Sequence, residues 1–257
     1  MIIGAIAGDI IGSVYERHNI KKVDFPLFGI QSRFTDDSVL TLATMYALLH
    51  EKNFTEAYHT FAQKYPHAGY GGKFKLWIRS DNPQPYNSWG NGSAMRVSPV
   101  GWYATSLEDA MAEAQESAAV THNHPEGIKG AQSVAAAVYL ARTGKSKEEI
   151  KTFIVNTFHY NLDRTLDAIR PAYHFDSSCQ GSVPEAIIAF LESADFENAI
   201  RLAISLGGDS DTIACITGGI AEAFYGAVPA HIGDGVLGIL PRELAEIAEG
   251  FSGEFGG

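Results

Sequence analysis

The chain reads as an all-α protein on three observations. Apolar residues recur at helical spacing from end to end, sustained strand-type alternation is nearly absent, and most connections between periodic segments are short. The first segment is the most distinctive. Gly4, Gly8 and Gly12 fall four apart and share one helix face, where a bare backbone lets another backbone approach closely. That outweighs the cost of about 1 kcal/mol per mid-helix glycine. Asp9 interrupts this apolar run, so it is either exposed or paired, and no role is read for it. Glu16 is expected to close the segment. Further helices are expected over 36–51, 54–64, 91–104, 107–120, 125–142, 146–158, 184–192, 195–205, 210–226 and 241–249. Thr55 with Glu56, Ser146 with Glu149, and Ser182 ahead of Pro184-Glu185 supply cap or first-turn signals. Two irregular stretches, 19–33 and 65–90, are long enough to be functional loops. Gly253 to Gly257 should fray. No linker, repeat or low-complexity tract divides the chain, so 1–257 is expected to form one domain.

Composition narrows the function classes. At 257 residues the chain can bury a substantial core, and 46% apolar with 19% charged residues is ordinary for a globular protein. A formal charge of −11, without any basic run, argues against a standing nucleic-acid partner. Cys179 and Cys215 are too few for a disulfide framework and fit no metal-ligand spacing, so reduced thiols are expected. The apolar start lacks a basic n-region and is broken by Asp9, and no stretch reaches the roughly 20 apolar residues of a membrane span. A cytoplasmic monomer without membrane contact is the expectation.

Function is signalled by two acid clusters. Thr35-Asp36-Asp37-Ser38 and Gly208-Asp209-Ser210-Asp211-Thr212 each precede an apolar helical run. Either cluster alone reads as a helix cap, because acids and hydroxyls satisfy free N–H groups and suit the helix dipole. One cap needs only one acid, however, and Asp209 with Asp211 offers two at i and i+2. Four carboxylates brought together repel unless cations lie between them, and magnesium, manganese and calcium take such oxygen ligands.

Other motifs are weaker. Asn91-Gly92-Ser93 begins a helical run, where free N–H groups can meet phosphate oxygens or simply be capped. Gly69-Tyr70-Gly71-Gly72-Lys73 fails the phosphate-loop pattern, since His67 and Phe74 occupy positions that need Gly and Ser/Thr. His122 and His124 lack the cysteine or third histidine of a zinc site. Glu16 alone reads as a solvated acid.

In this order along the chain, the motifs resemble the ADP-ribosylglycohydrolase family. The resemblance is carried by Gly4-Ala5-Ile6-Ala7-Gly8-Asp9 through Tyr15-Glu16, Thr35-Asp36-Asp37-Ser38 and Gly69-Tyr70-Gly71. It continues through Asn91-Gly92-Ser93-Ala94-Met95-Arg96, Thr121-His122 and Gly208-Asp209-Ser210-Asp211-Thr212. It implies an orthogonal all-α bundle with two magnesium ions, manganese being the alternative. Thr35, Asp36, Asp37, Asp209, Asp211 and Thr212 are the implied metal ligands, and Glu16 falls near the metals and the scissile bond. Asn91, Gly92 and Ser93 are implied to cradle a diphosphate and His122 to contact ADP-ribose. Ser38 stands where many relatives carry threonine. The implied activity is hydrolysis of an N- or O-glycosidic bond between ADP-ribose and an acceptor, with Glu16, Asp36 and Asp211 as catalytic residues. Two other classes stay open: a non-catalytic ADP-ribose-binding or crystallin-like protein, and a metal hydrolase of another nucleotide-sugar bond. The acceptor is not legible.

Overall fold

A computed structural model describes residues 1–256, and among them there is no strand, only one isolated bridge between Gly90 and Ser178. The helices are α1 (Gly4–Gly12), α2 (Asp36–Leu49), α3 (Phe54–Lys64), α4 (Gly72–Ile78), α5 (Gly92–Met95), α6 (Ser98–Tyr103), α7 (Leu107–Ala119) and α8 (Pro125–Arg142). They continue with α9 (Lys147–Phe158), α10 (Leu166–Ile169), α11 (Cys179–Glu192), α12 (Phe196–Ile204), α13 (Ser210–Tyr225), α14 (Ala230–Leu237) and α15 (Arg242–Phe255). Among the described residues no helix is long and apolar enough to cross a membrane.

The glycine stripe builds the centre. A Cβ on Gly8 would lie 2.0 Å from the Ala214 carbonyl oxygen, one on Gly4 2.4 Å from that of Gly218, and one on Gly12 2.5 Å from the Asp211 Cα. As α1 advances its partners on α13 recede in number, so the two helices run antiparallel with backbones touching. Every residue of α1 is buried, and α13 is buried from Ser210 to Ala223. A helix apolar all round belongs at the core. The antiparallel crossing brings the start of α13, with Asp209 and Asp211, to the end of α1.

Most expected helices are present, and the departures have identifiable causes. The run 91–104 divides into α5 and α6 because Pro99 cannot donate to the Met95 carbonyl. That freed carbonyl accepts instead from Thr41 Oγ1 at 3.4 Å and Cys215 Sγ at 3.3 Å. α11 begins at Cys179 rather than at 184, capped by Ser178 and not Ser182, and carries Pro184 inside. Packing outweighs the proline's preference for a helix start, since Val183, Ala186 and Ile187 around it are fully buried. Asn53, not Thr55, caps α3, accepting from the Glu56 N–H at 3.1 Å. The Ser146–Glu149 capping box is formed. α1 ends at Gly12, which leaves Glu16 in the following loop rather than in the helix. α15 runs on through Gly253 to Phe255, where fraying was expected, and Gly257 lies outside the described residues. The short helices α4, α10 and α14 were not foreseen; α4 lies within the stretch read as irregular.

Candidate metal and substrate site

Three helix ends converge on one cleft of about 470 Å³, lined among others by Glu16, Thr35, Asp36, Asp37, Asn91, Gly92, His122, Asp209, Asp211 and Thr212. Both acid clusters therefore share a floor, as their joint occurrence suggested. One carboxylate oxygen from each of Glu16, Asp209 and Asp211 lies within 4.8 Å of the other two, an arrangement that can hold a metal ion.

The capping alternative can be checked at each helix start. Thr35 does cap α2, accepting from the Asp37 N–H at 3.3 Å. Asp209 occupies the cap position of α13 without capping it. Its carboxylate accepts instead from Asn91 Nδ2 at 2.7 Å, across the cleft wall. Among the described residues Asp211 accepts only from its neighbour's backbone, the Thr212 N–H at 3.0 Å.

Asp9 takes the missing place in this network. Fully buried on α1, it accepts from the Thr35 N–H at 2.8 Å, the Thr35 hydroxyl at 2.6 Å, the Ser38 N–H at 3.0 Å and the Ser38 hydroxyl. It caps α2 from another helix, and by taking the Thr35 proton it leaves that oxygen's lone pairs for Asp37 N–H and a cation. The open choice between exposed and paired resolves as paired. Its signal was present in the sequence: an acid in a wholly apolar helix requires donors.

The electrostatics show what the floor lacks. Burial, and next the charge of Asp9, push the Asp36 carboxyl up to about 7. Burial followed by Asp9 raises Asp37 well above the usual carboxylate range, and burial followed by Asp37 does the same for Asp211. Burial raises Asp209 against the opposing Asn91 donor. No lysine, arginine or histidine pairs with any of these acids among the described residues. Asp37 Oδ1 is buried with no donor among the described residues. A buried acceptor without a partner costs about 1–3 kcal/mol, more when charged. Hard divalent cations fit this donor set, because they would satisfy that oxygen and reverse the mutual repulsion.

The remaining sequence-derived residues divide. His122 is buried in the wall beside Gly90 and Gly92. The Asn91 amide is committed to Asp209 and, at 3.0 Å, to Ser182. The Ser93 hydroxyl donates to the Gly127 carbonyl at 2.7 Å, so only its backbone is left for a ligand. Arg17, Arg33 and Lys73 stand at the cleft without carboxylate partners among the described residues, and Lys73 Nζ sits 5.6 Å from the centre of the half-exposed Trp89 ring. Arg17 and Arg33 lie in loops where isolated basic residues carry no pattern, and Lys73, at the start of α4, belongs to a motif that fails the phosphate-loop pattern.

Comparison with known proteins places the chain in a family. The profile of the ADP-ribosylglycohydrolase family matches residues 1–257. ADP-ribosylhydrolase ARH3 from Homo sapiens is 29% identical over 303 aligned positions, which cover 87% of this chain and 84% of the relative. ADP-ribosylarginine hydrolase Tri1 from Pseudomonas putida (strain GB-1) is 31% identical over 148 positions, 53% of this chain and 38% of the relative. A solved structure described as an ADP-ribosylglycohydrolase-related protein complex superposes with a TM-score of 0.72 over 97% of this chain and 94% of its own, at 24% identity, and shows the same fold. The chain belongs to the ADP-ribosylglycohydrolase family.

Proposed function

We propose that the chain is a cation-dependent hydrolase that cleaves the N- or O-glycosidic bond between ADP-ribose and an acceptor, releasing ADP-ribose. The observation that carries this reading is the unmet demand of the cleft floor: clustered buried carboxylates, an orphaned Asp37 Oδ1 and no cationic side chain among them. The activities named for ARH3 and Tri1 support it. Thr35, Asp36, Asp37, Asp209, Asp211 and Thr212 would hold two magnesium or manganese ions. When bound, such ions stabilise charge developing at the sugar and lower the pKa of water.

The chain's own groups then have separable tasks. Asp9 and Asn91 orient the ligands, Asp9 through the Thr35 hydroxyl and Asn91 through the Asp209 carboxylate. Glu16 stands half-buried at the cleft, where it can take or give a proton at the scissile bond, a contribution of about 10²–10⁴-fold. The backbone N–H groups of Gly92 and Ser93 suit a diphosphate, and His122 suits an oxygen of the ADP-ribosyl group. Asp36 and Asp211 act as ligands whose loss stops turnover. None of the ligand carboxylates is missing, which favours an enzyme over a crystallin-like protein.

The test is release of ADP-ribose from arginine-, serine- and nucleic-acid-linked adducts, with magnesium and after exhaustive chelation. Cation-dependent release from at least one adduct is expected. Undiminished release after chelation would sink the reading, and tight ADP-ribose binding without release from any adduct would favour a binding protein.

A further inference from the structure

Arg96, on the connection from α5 to α6, is fully buried and has no carboxylate partner among the described residues. Its guanidinium lies 4.1 Å from the Tyr58 ring centre, and Nη2 alone is used, donating to the Ser117 carbonyl at 2.8 Å and to Thr121 Oγ1 at 3.1 Å. Nε and Nη1 have no acceptor among the described residues. An unpaired buried charge is costly, so packing alone does not account for this residue.

Its reach ends at the cleft. Thr121 Oγ1 lies 2.7 Å from His122 Nδ1. A threonine hydroxyl has one hydrogen to give, and an arginine always donates, so Oγ1 accepts from Arg96. Among the described residues His122 Nδ1 is the one other group in hydrogen-bond geometry with Oγ1, the Tyr86 phenol bordering it less closely, so the arrangement that uses the hydroxyl hydrogen has Nδ1 receiving it. An accepting Nδ1 places the ring proton on Nε2. Nε2 faces the two glycines of the wall: a Cβ on Gly92 would lie 3.2 Å from it and one on Gly90 3.6 Å. The imidazole does not gain a second proton easily, because burial first and the Arg96 charge second hold its pKa well below the ordinary value. Tyr86, whose ring centre is 6.0 Å away, supplies no anion, its phenol being pushed up to about 12.

We propose that Arg96 is a positioning residue that acts through the Thr121 hydroxyl to fix His122 as the Nε2–H tautomer, presenting a permanent N–H donor to the ADP-ribosyl group. Only the last step, the identity of the group that receives the donor, rests on the function proposed above. A donor of this kind binds phosphate or sugar oxygens at any working pH and cannot serve as a base.

Two-bond ¹H–¹⁵N correlation spectra of histidine-labelled protein test the tautomer, with His122 assigned by its loss in His122→Gln. The wild type should show a protonated Nε2 and a bare Nδ1, unchanged between about pH 5 and 8. Thr121→Val and Arg96→Met should each move His122 to a mixed or titrating state, while Thr121→Ser should keep the wild-type pattern. In calorimetry, Thr121→Val should bind free ADP-ribose about tenfold or more weakly, with Thr121→Ser near the wild type. A wild-type proton on Nδ1, or an unaltered tautomer in Thr121→Val, overturns the proposal. An unaltered tautomer in a folded Arg96→Met removes Arg96 from it. A changed tautomer with unchanged ADP-ribose affinity, or no ADP-ribose binding by the wild type, overturns the recognition step while leaving the tautomer result standing.

Discussion

At the start of α1 a buried acid is fully used: Glu222, reaching over from α13, accepts from the Ile3 N–H at 3.0 Å and the Gly4 N–H at 2.6 Å, one with each oxygen. At the starts of α2 and α13 the carboxylate oxygens outnumber their donors. Asp9 takes four hydrogen bonds, while Asp211 has one and the buried Asp37 Oδ1 has none. The two ends of the same antiparallel helix pair thus use buried carboxylates in opposite ways. One closes a helix end that has no cap of its own; the other leaves lone pairs directed at a shared space. Burial of an acid at a helix start therefore does not mark a site. Unmet lone pairs do.

The difference can be broken most severely at the cleft. Asp36→Asn and Asp211→Asn should each lower the rate of ADP-ribose release by at least about 10³-fold, roughly 4 kcal/mol of transition-state stabilisation. The same variants should melt at higher temperature than the wild type in chelator, because a mutual repulsion has been removed. Loss of activity accompanied by loss of stability would mean that these acids are structural, like Glu222.

At the other end the signs reverse. Gly8→Val places a side chain where the Ala214 carbonyl already lies, so chemical denaturation should show a loss of about 3 kcal/mol or more. Glu222→Ala leaves two buried N–H groups without acceptors and should cost about 2–4 kcal/mol, with release rate per folded molecule unchanged.

The smallest effect is one of pH. Burial outweighs the two N–H donors and raises Glu222 from 4.5 to about 7. The folded state then holds the extra proton between those values. The residue's contribution to stability is fullest below 4.5, falls as the pH rises through about 7, and is constant above. Glu222→Gln should flatten that part of a stability–pH profile measured with magnesium present, and an unchanged profile would assign the slope elsewhere.

Much of this contrast is legible in the sequence. Helical periodicity gave the all-α class, and the spacing of Gly4, Gly8 and Gly12 gave a backbone-to-backbone contact, because both depend on local repeats. The partner helix was not legible, since nothing local points from Gly8 to Ala214. Glu16, the four aspartates and the two threonines were named from their clusters and family order, and the structure brings them to one cleft. Asp9, Glu222 and Arg96 were given no role: an acid in the apolar α1 shows that Asp9 needs donors but not which ones, and nothing local marks the other two. Their partners, Ser38, Gly4 and Thr121, lie far along the chain or across another helix, and single charged residues carry no periodic signal.

The central claim is that the crowded floor is a cation site. Calorimetric titration of chelator-stripped protein with manganese, beside Asp211→Asn, tests it most directly. Saturable binding of about two ions per chain, with the melting temperature rising as they bind and both effects lost in the variant, is the predicted result. Absence of saturable binding, or equal binding by the variant, would contradict it.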